Sequence, residues 1–481
     1  MPLDPKNHPA RPDADDPAEM PLAEARPTEL PRPRSGRLGD PTTWVLIGIG
    51  ALGAWLARDA FDAVLQAHRE RELATLDQVR TLIDDTYVLP REPHKFLDDA
   101  LRGLLQGVDR YSRYYDREER RELERQTSGT YLGLGLMIAD VGVPYRVLFP
   151  IPGSPADLGG IQPGDRLLEV AGLPMPPADP TPLEDRIKAA NGRPVLLEIE
   201  SPDGTLRKLE LRPTNVVHSS LNHVRMVDDE LGIGYVNVAT FTRRTPDEFD
   251  AAIGELRTKG LKGLILDLRG NRGGVLDSAT ALANRFVSAG VLVTVESRRG
   301  RESVRAVAAH ASLVGMPLVV LIDSETASAA EVFAAAIQDH RAGVLVGELS
   351  LGKGTVQTLT HVPEAEGIVK LTTAHYITPA GRLIERSLPG AWDAGLDPDV
   401  EFERTVEERR AIDAWLGVTA APLRHVPALE AWERRTGEKL LPERPADPHL
   451  DIALGLLRGR HPDGVHALPV AARAAPGSSG R

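Results

Sequence analysis

No cysteine occurs in the 481 residues, which excludes disulfides, thiolate metal sites and thiol nucleophiles and leaves both reducing and oxidising compartments open. No basic stripe is present either. The formal net charge is -12, whereas phosphate binding needs a concentrated positive surface, so no nucleic-acid partner is expected. No HExxH, EF-hand, P-loop or dinucleotide fingerprint occurs, so no cofactor and no metal is implied. Long apolar runs are absent with one exception, residues 41–57, and the length calls for two or three folded units plus tails.

The most informative stretch runs from Pro317 to Gln357. Leu318 to Ile322 is an apolar, β-branched run that reads as a strand, and the polar cluster Asp323-Ser324-Glu325-Thr326 turns the chain. Helix is expected from about Ala327 to Asp339, with Val332, Phe333, Ala336 and Ile337 on one buried face. A second strand follows at Val344–Val346. Two strands joined by one helix make a parallel crossover unit, and in open α/β sheets sites gather beyond the carboxyl ends of the strands. Ser328 lies there. A serine at a helix start has unpaired N–H groups beside it, Ala329 N–H above all, that can stabilise an oxyanion. Serine needs a base. His340 sits twelve residues along the same helix, roughly 18 Å away at the helical rise, which excludes it. Lys353, in a Gly-Lys-Gly turn after the second strand, can reach back and act as base if desolvated. Gln357 could hold that amine through its side-chain carbonyl. Either residue alone fits an ordinary helix start or a solvated turn lysine.

The segment TASAAEVF at 326–333 and LGKGTVQ at 351–357, with the lysine twenty-five positions after the serine, resemble the carboxyl-terminal processing proteases, serine peptidases of family S41 with a Ser-Lys dyad. The resemblance implies Ser328 as nucleophile, Lys353 as general base and Gln357 as the residue orienting it. This chain has Ala330 where the family usually has a second serine. Upstream, Asp267-Leu268-Arg269-Gly270-Asn271-Arg272-Gly273-Gly274 is similar to the family's D-L-R-x-N-P-G-G loop, which implies a second oxyanion donor from Gly273 or Gly274; Arg272 replaces the proline that would stiffen it. Asp267 and Arg269 read as structural charge contacts. His375, on a later strand, would serve a conventional Ser-His reading but fits a half-buried strand histidine.

Residues 128–216 read as short strands and turns. Gly133-Leu134-Gly135-Leu136, followed by GGIQPGDRLLEVAG at 159–172, resembles a PDZ domain, in which loop N–H groups bind a peptide's terminal carboxylate and the peptide adds as a strand. Gly133, Leu134, Gly135 and Leu136 are the peptide-binding candidates. Residues 61–127 read as charged helices with one break near Pro90, and Asp109-Arg110-Tyr111-Ser112-Arg113-Tyr114 stands where the family commonly has D-P-H-S-x-Y. Thr245-Pro246-Asp247-Glu248 reads as a capping box opening a helix that ends near Gly260.

Residues 1–42 and the end from Ala467 are expected to be disordered. The apolar run that follows the first spans about 26 Å as helix against a hydrocarbon core of ~30 Å. A tight membrane anchor, a signal segment and a buried helix are the options, and its all-round apolarity favours the anchor. Arg32, Arg34 and Arg37 precede it, which keeps that side in the cytoplasm and sends the remainder to the periplasmic side of the inner membrane.

The expected architecture is an α/β crossover core, related by analogy to crotonase and Clp folds, over residues 217–404. It carries an inserted mainly-β PDZ-like domain (128–216), an amino-terminal helical region (61–127), an anchor or signal segment (43–60) and a helical extension and tail (405–481). The expected activity is serine endopeptidase cleavage near a protein's carboxyl terminus, with protein substrates, the membrane and an activator or adaptor protein as partners. A catalytically dead PDZ scaffold and a serine esterase or amidase are the alternatives.

Overall fold

The computed structural model describes residues 41–89, 92–138, 145–175, 183–190, 192–387, 394–417, 425–437, 439 and 443–459. Both tails expected to be disordered fall outside these residues, apart from Pro41 and Thr42. The chain divides into two units, Met1–Glu92 and Pro93–Arg481. The first contributes one 46-residue helix, α1 (Pro41–Thr86), whose opening turns hold the apolar run. Trp44, Leu46, Ile49, Leu52, Trp55 and Leu56 are exposed on it. Among the described residues no helix is long and apolar enough to cross a membrane.

The second unit begins with α2 (Pro93–Gln106), β1 (Arg113–Tyr115) and α3 (Arg117–Ser128). The run of charged helix formers predicts only helix here. A strand intervenes because Asp109 accepts from Tyr111 N, Ser112 N and Ser112 Oγ at 2.7–2.8 Å, bending the chain into a turn that an Asp side chain is suited to hold. Asp116 then caps α3 in a reciprocal box with Glu119, and Gly129 ends it in the left-handed region.

A small β domain follows: β2 (Thr130–Gly133), β3 (Leu136–Ile138), β4 (Val147–Pro150), the short α4 (Pro155–Leu158), β5 (Arg166–Val170), β6 (Leu173–Pro174), α5 (Leu183–Ala189), β7 (Val195–Glu200), β8 (Leu206–Leu211) and β9 (Thr214–Val217). Val195, Leu197 and Ile199 are buried while the residues between them are not, the two-residue period of a one-sided strand. They close a core with Leu134, Val147, Ile161 and Leu167.

The larger core is built on a six-stranded sheet. Its elements are β10 (Leu221–Asp228), β11 (Ile233–Val238), α6 (Thr245–Thr258), β12 (Gly263–Asp267), α7 (Leu276–Phe286), β13 (Val291–Ser297), β14 (Gly300–Arg305), β15 (Leu318–Ile322), α8 (Ala329–Asp339), β16 (Val344–Gly347), β17 (Thr355–Val362), β18 (Gly367–Ile377) and β19 (Val400–Glu401), followed by α9 (Val406–Leu416), α10 (Val426–Thr436) and α11 (Pro448–Arg458). The sheet order is β10-β11-β12-β15-β16-β19, parallel except for β10. Alternate residues of β15 face opposite layers: Leu318, Val320 and Ile322 pack with α6, α7 and α8, while Val319 and Leu321 pack with Trp415 of α9 and Leu450, Ala453 and Leu457 of α11. Helices α9 and α11 are thus the second covering layer. Each such aliphatic side chain contributes about 1.5–3 kcal/mol by leaving water.

A second, antiparallel sheet places β18 between β13 and β1 with β17 also paired to it. It brings residues from three distant parts of the chain to the start of α8. The box expected at Thr245 is absent. Arg244 is the cap residue and makes no side-chain cap bond; Thr245 Oγ1 instead donates to Ser220 Oγ (2.8 Å), and the Glu248 carboxylate accepts from Ser220 N and Oγ, tying the entry of β10 to α6.

Candidate active site

Ser328 is the cap residue of α8 and lies one position before its first turn. Its backbone has φ 58° and ψ -121°, a conformation costly for a side-chain-bearing residue and kept only where surroundings enforce it. The enforcing group is Glu331. Its fully buried carboxylate accepts from Ser328 N (2.8 Å) and Lys353 N (2.9 Å) on one oxygen, and from Ser350 Oγ (2.5 Å) and Gly352 N (2.8 Å) on the other. One carboxylate therefore clips the Ser328 segment to the Gly-Lys-Gly turn. Burial pushes its pKa up, and the four donors oppose that by favouring the carboxylate form.

The glycine loop sits against the same place. Gly273 has φ 97°, and a Cβ there would meet Ala327 O, Ser328 Cβ and Ala329 N at 2.8–3.0 Å, so only glycine allows this approach. Its N–H donates to Asn271 Oδ1 (2.8 Å), and its carbonyl accepts from Phe241 N and Thr240 Oγ1. The loop is pinned by Gly270 N to Asp323, Ala327 N to Asn271 O and Asn271 Nδ2 to Val238 O. Arg272, in the place of the stiffening proline, pairs with Glu325 on the loop before Ser328. Asp267 and Arg269 are fully buried; Arg269 also pairs with Asp447, the cap of α11, and Tyr235 donates to Asp267. Their role is structural.

The Lys353 amine lies 5.0 Å from the ring centroid of Tyr111. Burial, with Lys370 on β18, holds it below the usual lysine range, while Glu385 and Glu331 pull the other way. Gln357 Nε2 donates to Thr355 Oγ1 (2.9 Å) on its own strand. The Tyr376 hydroxyl is within hydrogen-bonding reach of the Ser328 side chain, and burial pushes it up to about 12; its backbone N–H donates to Gly354 O (2.7 Å). His375, its neighbour on β18, points to the other face of that sheet. His340 caps the far end of α8 and contacts Val291 O. Glu331, Tyr111 and Tyr376 were not singled out from sequence; of these only Glu331, three residues after the serine on a helix otherwise apolar there, leaves a local signal.

The peptide-binding candidates gather as expected of neighbours in sequence. Gly133, Leu134, Gly135 and Leu136 line a cavity of about 560 Å³ with Leu183, Ile187 and Lys188 of α5 opposite. Thr240 and Thr242 of the core and His218 complete its wall. The Tyr131 ring lies on Gly133, and its hydroxyl lies near the Gly135 N–H. Residues of α10 brace the domain from outside, with Trp432 and Leu429 packed on Leu148 and Phe149.

The profile of peptidase family S41 matches residues 232–402 and that of a PDZ domain matches residues 147–201. The carboxy-terminal-processing protease of Bartonella bacilliformis is 30% identical over 399 residues, covering 81% of this chain and 89% of its own. The carboxy-terminal processing protease CtpA of Bacillus subtilis is 32% identical over 339 residues, 68% of each chain. The solved photosystem II D1 C-terminal processing protease is 29% identical over 70% of this chain and 89% of its own, with a TM-score of 0.39. The chain belongs to the carboxy-terminal processing proteases of peptidase family S41 and carries a PDZ domain.

Proposed function

We propose that this protease is an endopeptidase that cuts proteins near their carboxyl end, with Ser328 as nucleophile and Lys353 as general base. The observation that carries this reading is the Glu331 clip, which anchors the backbones of both residues to a single oxygen atom. A neutral Lys353 amine takes the Ser328 Oγ proton as Oγ attacks the scissile carbonyl. Ala329 N–H and an N–H of the glycine loop meet the oxyanion; because the Gly273 N–H is committed to Asn271, Gly274 supplies it. The tetrahedral intermediate collapses, the C–N bond breaks, and the lysine ammonium returns the proton to the leaving amine. Water, deprotonated by Lys353, then hydrolyses the ester. Gln357, with Nε2 spent on Thr355, keeps Oε1 to accept from the amine.

In the same reading the substrate's carboxyl end enters the PDZ cavity, its carboxylate on the loop N–H groups between Gly133 and Leu136 and its backbone beside β3. An activator or adaptor protein is a further partner. The apolar opening of α1 attaches the chain to the inner membrane with the catalytic part on the periplasmic side; loss of membrane-fraction recovery on deleting residues 43–60 tests this.

The deciding experiment incubates the full chain with a protein bearing an unstructured apolar carboxyl terminus and follows intact mass. Wild type shortens it; Ser328→Ala and Lys353→Ala leave it whole. Turnover by either variant overturns the dyad, and an amidated substrate cleaved with unchanged KM overturns the carboxylate site.

A further inference from the structure

We propose that Tyr111 is a positioning residue for Lys353, its ring face holding the amine in place beside the nucleophile segment. The inference rests on the reading of Lys353 as base. The ring is not a passing neighbour. Its turn is fixed by the three bonds to Asp109, and the adjacent Ser112 Oγ accepts from Thr372 N of β18 (3.1 Å). The following strand pairs with β18 at Arg113, Tyr114 and Tyr115, and the Tyr114 hydroxyl donates to Asp98 and Ala365 O. The turn that carries the ring is thus held from both sides, and the ring takes the Lys353 amine at 5.0 Å and the Arg110 guanidinium at 4.6 Å from its centroid.

The chemistry suits a base that must cycle. Lys353 has to be neutral when Ser328 loses its proton and cationic directly afterwards. A carboxylate directly on the amine would favour the ammonium so strongly that the base would be lost, whereas an aromatic face stabilises a cation more gently. The charged groups around the amine are Lys370 of β18 and Arg110 of the same turn, which disfavour the ammonium, and Glu331 of α8 and Glu385, which favour it. Burial keeps the Tyr111 hydroxyl protonated, so its ring stays a neutral π donor. An amino-terminal segment otherwise without assigned chemistry thereby supplies one wall of the catalytic centre.

The test titrates the amine itself. The full chain, in a Ser328→Ala background that prevents turnover, is labelled with trace acetic anhydride across pH, and Lys353 acetylation is read by peptide mass spectrometry with Lys259 as internal reference. Tyr111→Phe keeps the wild-type midpoint. Tyr111→Leu preserves apolar cover but removes the π face, so the midpoint falls by roughly half a unit to one and a half units. If Leu also disturbs Lys259, Tyr111→Met replaces it. A Leu or Met midpoint that stays or rises, or a Phe midpoint that moves with Leu, overturns the proposal. Retained turnover in Lys353→Ala would overturn the dyad without altering this titration, so the two failures are separable.

Discussion

The Ser328 corner and the PDZ groove meet at the same strand end, Thr240–Thr242, yet are built on opposite terms. At the corner, backbone groups are committed: Glu331 takes four donors, Asn271 takes Gly273 N–H, and Asp323 takes Gly270 N–H. In the groove the cavity is large, and the Gly135 N–H lies near a hydroxyl of the domain itself, Tyr131. A site that must meet a transition state gains from being fixed in advance, whereas one that must accept many chain ends gains from a partner it can release.

The sharpest way to break that contrast is Glu331→Gln. One carboxamide oxygen cannot replace two, so an NH2 faces two donors, and misplacement of nucleophile and base should cost about 100-fold in kcat with KM little changed; steady-state kinetics on a carboxyl-terminal peptide substrate decides. In the groove, Tyr131→Phe frees the Gly135 N–H for the incoming carboxylate. KM should fall about fivefold at constant kcat, the worth of roughly one hydrogen bond, and an unchanged KM would show that this N–H does not read the carboxylate.

Lys353 provides a smaller test, on stability. Its folded pKa is lowered, so between that value and the unfolded value near ~10.4 the unfolded chain binds more protons, and stability rises as pH rises through this window. Lys353→Met should therefore raise Tm at pH 7, by less as pH approaches 10, while kcat/KM of the wild type rises with pH through the folded pKa. Smallest of all is Arg272→Ala. The Arg272–Glu325 pair is largely exposed, and such pairs contribute about 0–1 kcal/mol, so activity should fall less than about fivefold; a larger loss would make that pair the principal stiffener of the oxyanion loop.

What the sequence made legible was whatever local periodicity and spacing can carry. The β15-α8-β16 unit, Ser328 at its corner, Lys353 in its glycine turn and the Gly273–Gly274 loop were all readable, as was the PDZ-like fold. The partners that fix them were less so. Tyr111 lies 242 positions before Lys353, and it reaches the amine only because β1 adds to β18, a pairing that a run of charged helix formers conceals. Thr245 and Glu248 show the converse: a correct local pattern was overridden when Ser220 offered their side chains a tertiary partner. Ser328 itself sits one residue earlier than a plain helix start suggests, because Glu331 takes its N–H while the backbone adopts a conformation that propensity disfavours.

The salt link between Arg269 and Asp447 has a consequence for biosynthesis. Arg269 lies just before the Gly273–Gly274 loop and is wholly buried, yet one of its two carboxylate partners is contributed 178 residues later. During synthesis the guanidinium has only one of its two carboxylate partners until α11 has emerged and docked. The layer beneath Ser328 is completed by one of the last segments to be made, so the order of translation delays assembly of that corner until the rest of the molecule is in place.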